Sequence, residues 1–202
     1  MVQVQDRLDL RRRLTEIARS QAGYFTTRQA LSAGYSYSAQ RYHVHRGNWE
    51  QVDRALFRLP EWPIDRWDYL VRWSVWSGER AVVSHETALV VHDLGDVNPV
   101  RIHLTVPPGF RMKPRGLVLH HGELSPEDIE DWGGFRITTP VRSVADVAAT
   151  PIELDQLATV IGDALSRNLF SRRRLREQAD VVGVESALAV ERALDLVDAH
   201  AV

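Results

Sequence analysis

Cysteine is absent from the 202 residues, which removes disulfides, thiolate zinc sites and cysteine nucleophiles together. Lysine is almost absent: of 25 basic residues only Lys113 is not an arginine. A restriction-type nuclease needs a lysine set beside metal-binding carboxylates on a strand. Lys113 falls in a proline-flanked loop and no Glu-x-Lys spacing occurs, which argues against that chemistry. No Gly-x-Ser-x-Gly elbow is present, and Ser84 and His85 are neighbours in sequence, which makes no hydrolase triad. Without cysteine a zinc site would need His and Asp. His85 and His92 are seven apart, too far for one ion on a helix, where paired ligands use i+3 or i+4; His120, His121 and Asp93 complete no motif. No cofactor, metal or catalytic residue is expected. No apolar run approaches the roughly 20 residues that span a bilayer. The polar, charged N-terminus does not read as a signal peptide, so the expected location is cytoplasmic.

What is present is the composition of a globular protein, 44% hydrophobic and 26% charged. The length suits one large domain or two small ones. The net charge of −2 hides a division. Residues 1–60 carry 10 Arg against 5 Asp and Glu, so +5; residues 61–202 carry 15 Lys and Arg against 22 acids, so −7. A basic head suits a polyanion, and an acidic body suits another partner.

The stretch 23–60 is the most legible. Thr26–Ala33 reads as a short helix with a Thr cap, closed by Gly34. Ser36–Arg46 reads as a second helix, capped by Ser36 or Ser38 and ended by Gly47-Asn48. Residues 49–59 then alternate, with Trp49, Val52 and Phe57 expected inside and Glu50, Asp53 and Arg58 outside; Asp53-Arg54-Ala55 marks a turn. Helix, tight turn, helix and hairpin is the order of a winged helix-turn-helix. On the second helix Ala39, Tyr42 and Val44 are expected partly inward. Tyr37, Gln40, Arg41, His43, His45 and Arg46 are expected outward. Gln and Arg can pair with adenine and guanine edges, while Ser, Tyr and His suit phosphate or sugar. The DNA-binding set is therefore Arg11, Arg12, Thr26, Thr27, Ser36, Tyr37, Ser38, Gln40, Arg41, His45, Arg46, Arg54 and Arg58. The first two sit on a preceding helix, Asp6–Gln21, whose apolar stripe is Leu10, Leu14, Ile17 and Ala18.

Beyond Pro60 the pattern mixes short strands with five or more helices. Helices are expected over 65–77, 84–92, 141–149, 153–167, 172–179 and 185–199, with a short one at 125–128; strands are expected over 99–106, 116–120 and 135–138. Four of the six tryptophans fall in 62–76 and are expected in a packed core between domains, not in a ligand cage. Arg142 and Asp146, four apart, can pair on a helix. Arg172, Arg173, Arg174 and Arg176 crowd a helix N-terminus against its dipole. They are candidates for a partner surface, DNA or an acidic protein, or equally a solvated tail. The expected fold is α/β (α+β): a winged helix-turn-helix over 1–60, then a mixed α/β domain over 61–202.

Four segments in order carry a resemblance. Gly23-Tyr24-Phe25-Thr26 with Gln29-Ala30, Gly34, Gly47-Asn48-Trp49 with Val52, and Arg54–Pro60 form the first. Ser84–Leu89 (SHETAL), Ile102–Pro107 (IHLTVP) and Thr139–Asp146 (TPVRSVAD) are the others. Together they resemble the AbiEi family of antitoxins from AbiE-type (type IV) toxin–antitoxin pairs, over roughly residues 10–180. The resemblance implies an antitoxin with two tasks. Its head would bind repeats, inverted or direct, in its own promoter and repress the operon. Its body would neutralise a nucleotidyltransferase-like toxin, directly or indirectly. A monomer in solution is expected. The alternatives are a protein-binding antitoxin without DNA binding and a metal-dependent nuclease. One departure from the family pattern is Ala55 at the hairpin tip, where the family has Gly; a Cβ is disfavoured at positive φ, so a different turn is expected.

Overall fold

The computed structural model describes residues 2–112 and 115–200, so Lys113 lies outside the described residues. The chain divides into two compact units: Met1–Ala81 with Asp131–Arg136, and Val82–Glu130 with Ile137–Val202. Among the described residues there are nine helices and two sheets.

The first unit opens with α1 (Val2–Arg19), which buries Leu14 and Ala18. Strand β1 (Tyr24–Thr26) leads into α2 (Thr27–Ala33), opened by a reciprocal capping box. The Thr26 Oγ1 accepts from the Gln29 amide at 3.2 Å, and the Gln29 Oε1 accepts from the Thr26 amide at 2.8 Å. Gly34 ends α2 at φ +109°, and a Cβ there would come within 2.5 Å of Leu10 Cδ2, so both its conformation and its lack of a side chain are used. Helix α3 (Tyr37–His45) is capped by Ser36, whose Oγ accepts from the Ala39 amide. Strands β2 (Glu50–Asp53) and β3 (Leu56–Arg58) form a hairpin, and the three strands make an antiparallel sheet in the order β1-β3-β2. Phe25, Tyr35, Trp49 and Phe57 meet over it, with Phe25–Trp49 and Tyr35–Trp49 edge to face at 4.8 and 4.9 Å. Each such pair contributes about 1 kcal/mol beyond its buried area.

The unit does not stop at residue 60. Helix α4 (Asp68–Ser77) belongs to it because Asp68 is buried there. The Tyr24 hydroxyl donates to its Oδ2 at 2.5 Å, and the Arg58 guanidinium donates to its Oδ1 at 3.3 Å and to the Trp62 carbonyl at 2.8 Å. Burial first, and then Asp68, hold the Tyr24 hydroxyl protonated far above the usual phenol range. The tryptophans of this region, Trp62, Trp67, Trp73 and Trp76, are half-buried. Arg66 and Arg72 lie over Trp67 and Trp73 at 4.4 and 5.0 Å.

The second sheet has the order β6-β5-β4-β8-β7. Its strands are β4 (Val82–Val83), β5 (Ile102–Val106), β6 (Leu117–His121), β7 (Ile129–Asp131) and β8 (Arg136–Thr138). β4 and β5 are antiparallel, whereas β5 and β6 are parallel, from Ile102 opposite Leu117 to Val106 opposite His121. β4 and β7 are too short to show an alternation, which is why pattern reading misses them. Five helices complete the unit: α5 (His85–Val91), α6 (Pro140–Ala148), α7 (Leu154–Ser166), α8 (Arg172–Val182) and α9 (Val184–His200). Leu89, Val144, Val147, Leu157, Ile161, Leu175 and Leu194 are the centre of their shared core. The turn at Pro126–Asp128 is 3₁₀.

Removing one partner of a buried ion pair strands the other. Asp68→Ala should therefore cost the first unit about 3–5 kcal/mol, read as a lowered urea midpoint. A loss under about 1 kcal/mol, the value of a surface pair, would show that α4 is not integral to that unit.

Candidate nucleic-acid interface

Helix α3 presents two exposed rows. Tyr37, Arg41 and His45 are spaced four apart, and Ser38 and Tyr42 lie beside them; Arg46 follows at the C-cap. Tyr37 is 61% exposed and Tyr42 57%. The Arg46 guanidinium sits 6.0 Å from the Tyr42 ring. A shallow groove of about 630 Å³ runs between α3 and the hairpin, with Tyr37, Arg41 and His45 on one wall and Gln51 and Ala55 on the other. Arg54 is exposed at the hairpin tip. Ala55 holds φ +60°, so the turn keeps the left-handed geometry that a glycine would supply, against the expectation of a different turn. The Ala55 carbonyl accepts from the Thr27 amide at 2.9 Å, which ties the tip to the start of α2. On α1, Arg11 and Arg12 are about three-quarters exposed and pair loosely with Glu61 at 3.6 Å and Asp9 at 3.8 Å. Such surface pairs are worth about 0–1 kcal/mol and exchange readily for phosphate.

Several expected contacts are not on this face. Gln40 is 3% exposed, and its amide donates to the Tyr35 carbonyl at 3.1 Å and the Thr27 carbonyl at 3.4 Å, locking α3 to the turn. Arg58 is 5% exposed and engaged with Asp68. His43 stacks on Trp49 at 4.8 Å, and burial lowers its pKa. Tyr42, expected partly inward, points to solvent. The helix is rotated relative to the expected face because the aromatic cluster takes His43, where a simple hydropathy scale ranks it polar. Thr26 spends its hydroxyl on the capping box, and Ser36 on its helix. Thr27 lines the groove. Arg28, exposed at the start of α2, was not in the expected set; its place in the first turn after a capping Thr is the signal that marks it.

The arginines at the start of α8 are not a bare cationic patch. Arg172 pairs with Asp198 at 2.6 Å, Arg173 and Arg174 with Glu177 at 2.8 and 3.8 Å, and Arg176 with Glu191 at 2.6 Å. The unfavourable dipole position is offset by acids on α8 and α9. The inference of a partner from that cost therefore lapses.

Residues 12–60 match the family model described as "Transcriptional regulator, AbiEi antitoxin". The match supports an AbiEi-family antitoxin. No curated protein matches the chain. Among solved structures, the crystal structure of the RV2827C protein from Mycobacterium tuberculosis is similar, with a TM-score of 0.59 and 17% identity. The alignment covers 92% of this chain and 74% of that one. At that identity the likeness is one of fold.

The AbiEi-like motifs outside the matched segment fold into hydrogen-bond nodes of the second unit. Ser84 does not cap α5: its Oγ accepts from Thr105 Oγ1 at 2.8 Å and lies 2.9 Å from His85 Nδ1. His103 Nε2 lies 3.2 Å from Glu86, and its Nδ1 lies 3.1 Å from His120 Nε2. With Glu86 ionised, the proton order runs from His120 through His103 to Glu86. The His85 and His120 rings stack at 3.4 Å. Among the described residues no group of three or more His, Asp or Glu is placed to hold a metal ion. Arg142, in the third motif, forks to Asp128 at 2.8 Å and Asp146 at 2.7 Å, and Gln178 donates to Asp128 at 3.0 Å. Among the described residues no helix is long and apolar enough to cross a membrane.

These nodes carry a pH dependence of definite sign. Burial, with the facing imidazoles, pushes His85 down to about 2 and His120 down to about 4. Burial lowers His103 too, against the pull of Glu86. Folded values below the ordinary 6.5 favour the neutral rings, so their stability is whole above pH 6.5 and is lost as the pH falls, toward 4 for His120 and toward 2 for His85. Burial pushes Asp146 up to about 6 in spite of Arg142, and its protonation below pH 6 works in the opposite sense. His120→Asn should therefore shrink the fall in urea midpoint between pH 7 and pH 4.5. An unchanged fall would show that the histidine stack is not its source.

Proposed function

We propose that the first unit is a winged helix-turn-helix that binds promoter DNA, with α3 in the major groove and the β2–β3 hairpin as wing. The supporting observation is the exposed row Tyr37, Arg41 and His45 on a Ser-capped helix, followed by Arg46 and flanked by the Arg54 tip. A guanidinium so placed can take the O6 and N7 of a guanine, and the tyrosines and histidine can hold backbone oxygens. Arg11, Arg12 and Arg28 add phosphate contacts around it. The +5 charge of residues 1–60 supplies the long-range attraction. The protein then acts as a cytoplasmic antitoxin that represses its own operon and neutralises a nucleotidyltransferase-like toxin, as a regulator and not as an enzyme. It meets DNA repeats as a monomer.

Arg41→Ala with Arg46→Ala should weaken binding to the DNA upstream of its own reading frame by about tenfold or more. The circular dichroism should stay unchanged, because neither side chain is buried. The logarithm of wild-type affinity should fall with the logarithm of salt at a slope on the order of several units, one for each neutralised phosphate. An unchanged affinity in the double variant would remove α3 from the interface. A flat salt dependence would favour an antitoxin that binds only protein.

A further inference from the structure

The hairpin contains a β-bulge. Gln51 faces Phe57 and Asp53 faces Leu56, so Val52 is the extra residue on β2. A bulge interrupts the ladder and leaves that residue unpaired. Among the described residues β2 is also an edge strand of its sheet. The Val52 carbonyl accepts instead from Arg72 Nη2 on α4, at 3.1 Å. The same guanidinium reaches Asp53 Oδ2 at 3.3 Å, while Asp53 Oδ1 accepts from the Arg54 amide at 2.6 Å. Trp73 lies under that guanidinium at 5.0 Å.

We propose that Arg72 is a positioning residue for DNA binding: it clasps the bulge at Val52 and Asp53 and thereby aims the Arg54 tip. This rests on the winged-helix reading above. Two physical facts carry it. A bulge increases the local twist, and here it falls on the edge strand of a three-stranded sheet, so the direction of the tip depends on restraints from outside the ladder. Both bonds leave one nitrogen: the two protons of Arg72 Nη2 reach the Val52 carbonyl and the Asp53 carboxylate together and so span the bulge. The Arg72–Asp53 pair is about one-third exposed, so its Coulomb energy is small, and its consequence is geometric. With Thr27 holding the Ala55 carbonyl from the other side, the tip is fixed between α2 and α4.

The test uses the full chain with two duplexes of equal length, one from upstream of its reading frame and one of mixed sequence. Binding is followed by fluorescence anisotropy over a salt series. Arg72→Ala should lose about tenfold in affinity, and its salt slope should become shallower by about one unit, as for Arg54→Ala. The double variant should lose no more than Arg54→Ala alone, because both changes remove the same contact. Arg72→Met, which keeps an unbranched apolar stem and has no donor, should behave as Arg72→Ala. Additive losses would instead make Arg72 a direct phosphate contact and overturn the proposal, as would an unaltered slope. Hydrogen exchange in the free protein separates the two readings. The Arg54 and Ala55 amides should exchange faster in Arg72→Ala while the α1 amides do not change. Unaltered exchange sinks the clasp however the DNA experiment turns out. Wild-type protein that binds neither duplex sinks the winged-helix reading, and the positioning role with it.

Discussion

A single buried carboxylate organises the first unit. Asp68 receives the Tyr24 hydroxyl and the Arg58 guanidinium in a region closed to water. A charge so placed is tolerable only with its partners in position, so β1, β3 and α4 are held as one body. This explains why the unit runs to Ala81 and not to the expected residue 60. It also explains why Arg58, read as a DNA contact, is spent on structure. The same helix sends Arg72 to the β2 edge. One element beyond the apparent end of the head thus supports both the sheet and the hairpin.

The division of arginines follows from where acids and carbonyls lie. Arg58, Arg72 and Arg142 are engaged internally, each by at least one carboxylate. Arg172, Arg173, Arg174 and Arg176 are engaged on the surface by Asp198, Glu177 and Glu191. Arg41, Arg46 and Arg54 are exposed on or beside α3 and the hairpin tip. Net charge alone ranks all of these together. The last group is gathered around a capped helix and a groove.

In the second unit the polar motifs serve hydrogen-bond accounting. Ser84, His85 and Thr105 satisfy one another, and so do His120, His103 and Glu86. A sequence reader sees histidines and acids and considers metal or catalysis. In the fold each of these rings has at least one nitrogen within hydrogen-bond distance of a polar neighbour. Buried polar groups need such partners whether or not they have chemistry to perform.

Local chemistry made the head of this chain readable. A Thr followed three residues later by Gln, a Gly after Ala33, and Ser36 before the nine-residue α3 set helix ends through bonds that span three or four residues. Those signals need nothing distant, so α2, α3 and the hairpin turn could be placed from the residues alone, as could the amphipathic helices of the second unit. The side of α3 that faces solvent could not. It depends on Trp49 stacking with His43 and on Gln40 reaching Tyr35 and Thr27. The fate of Arg58 and Arg72 depends on Asp68 and on a bulge at Val52. Sequence determined where the elements begin and end, because caps and periodicity act within a turn. Tertiary structure decided which side chains remain for a partner, because burial and pairing are set by residues far along the chain.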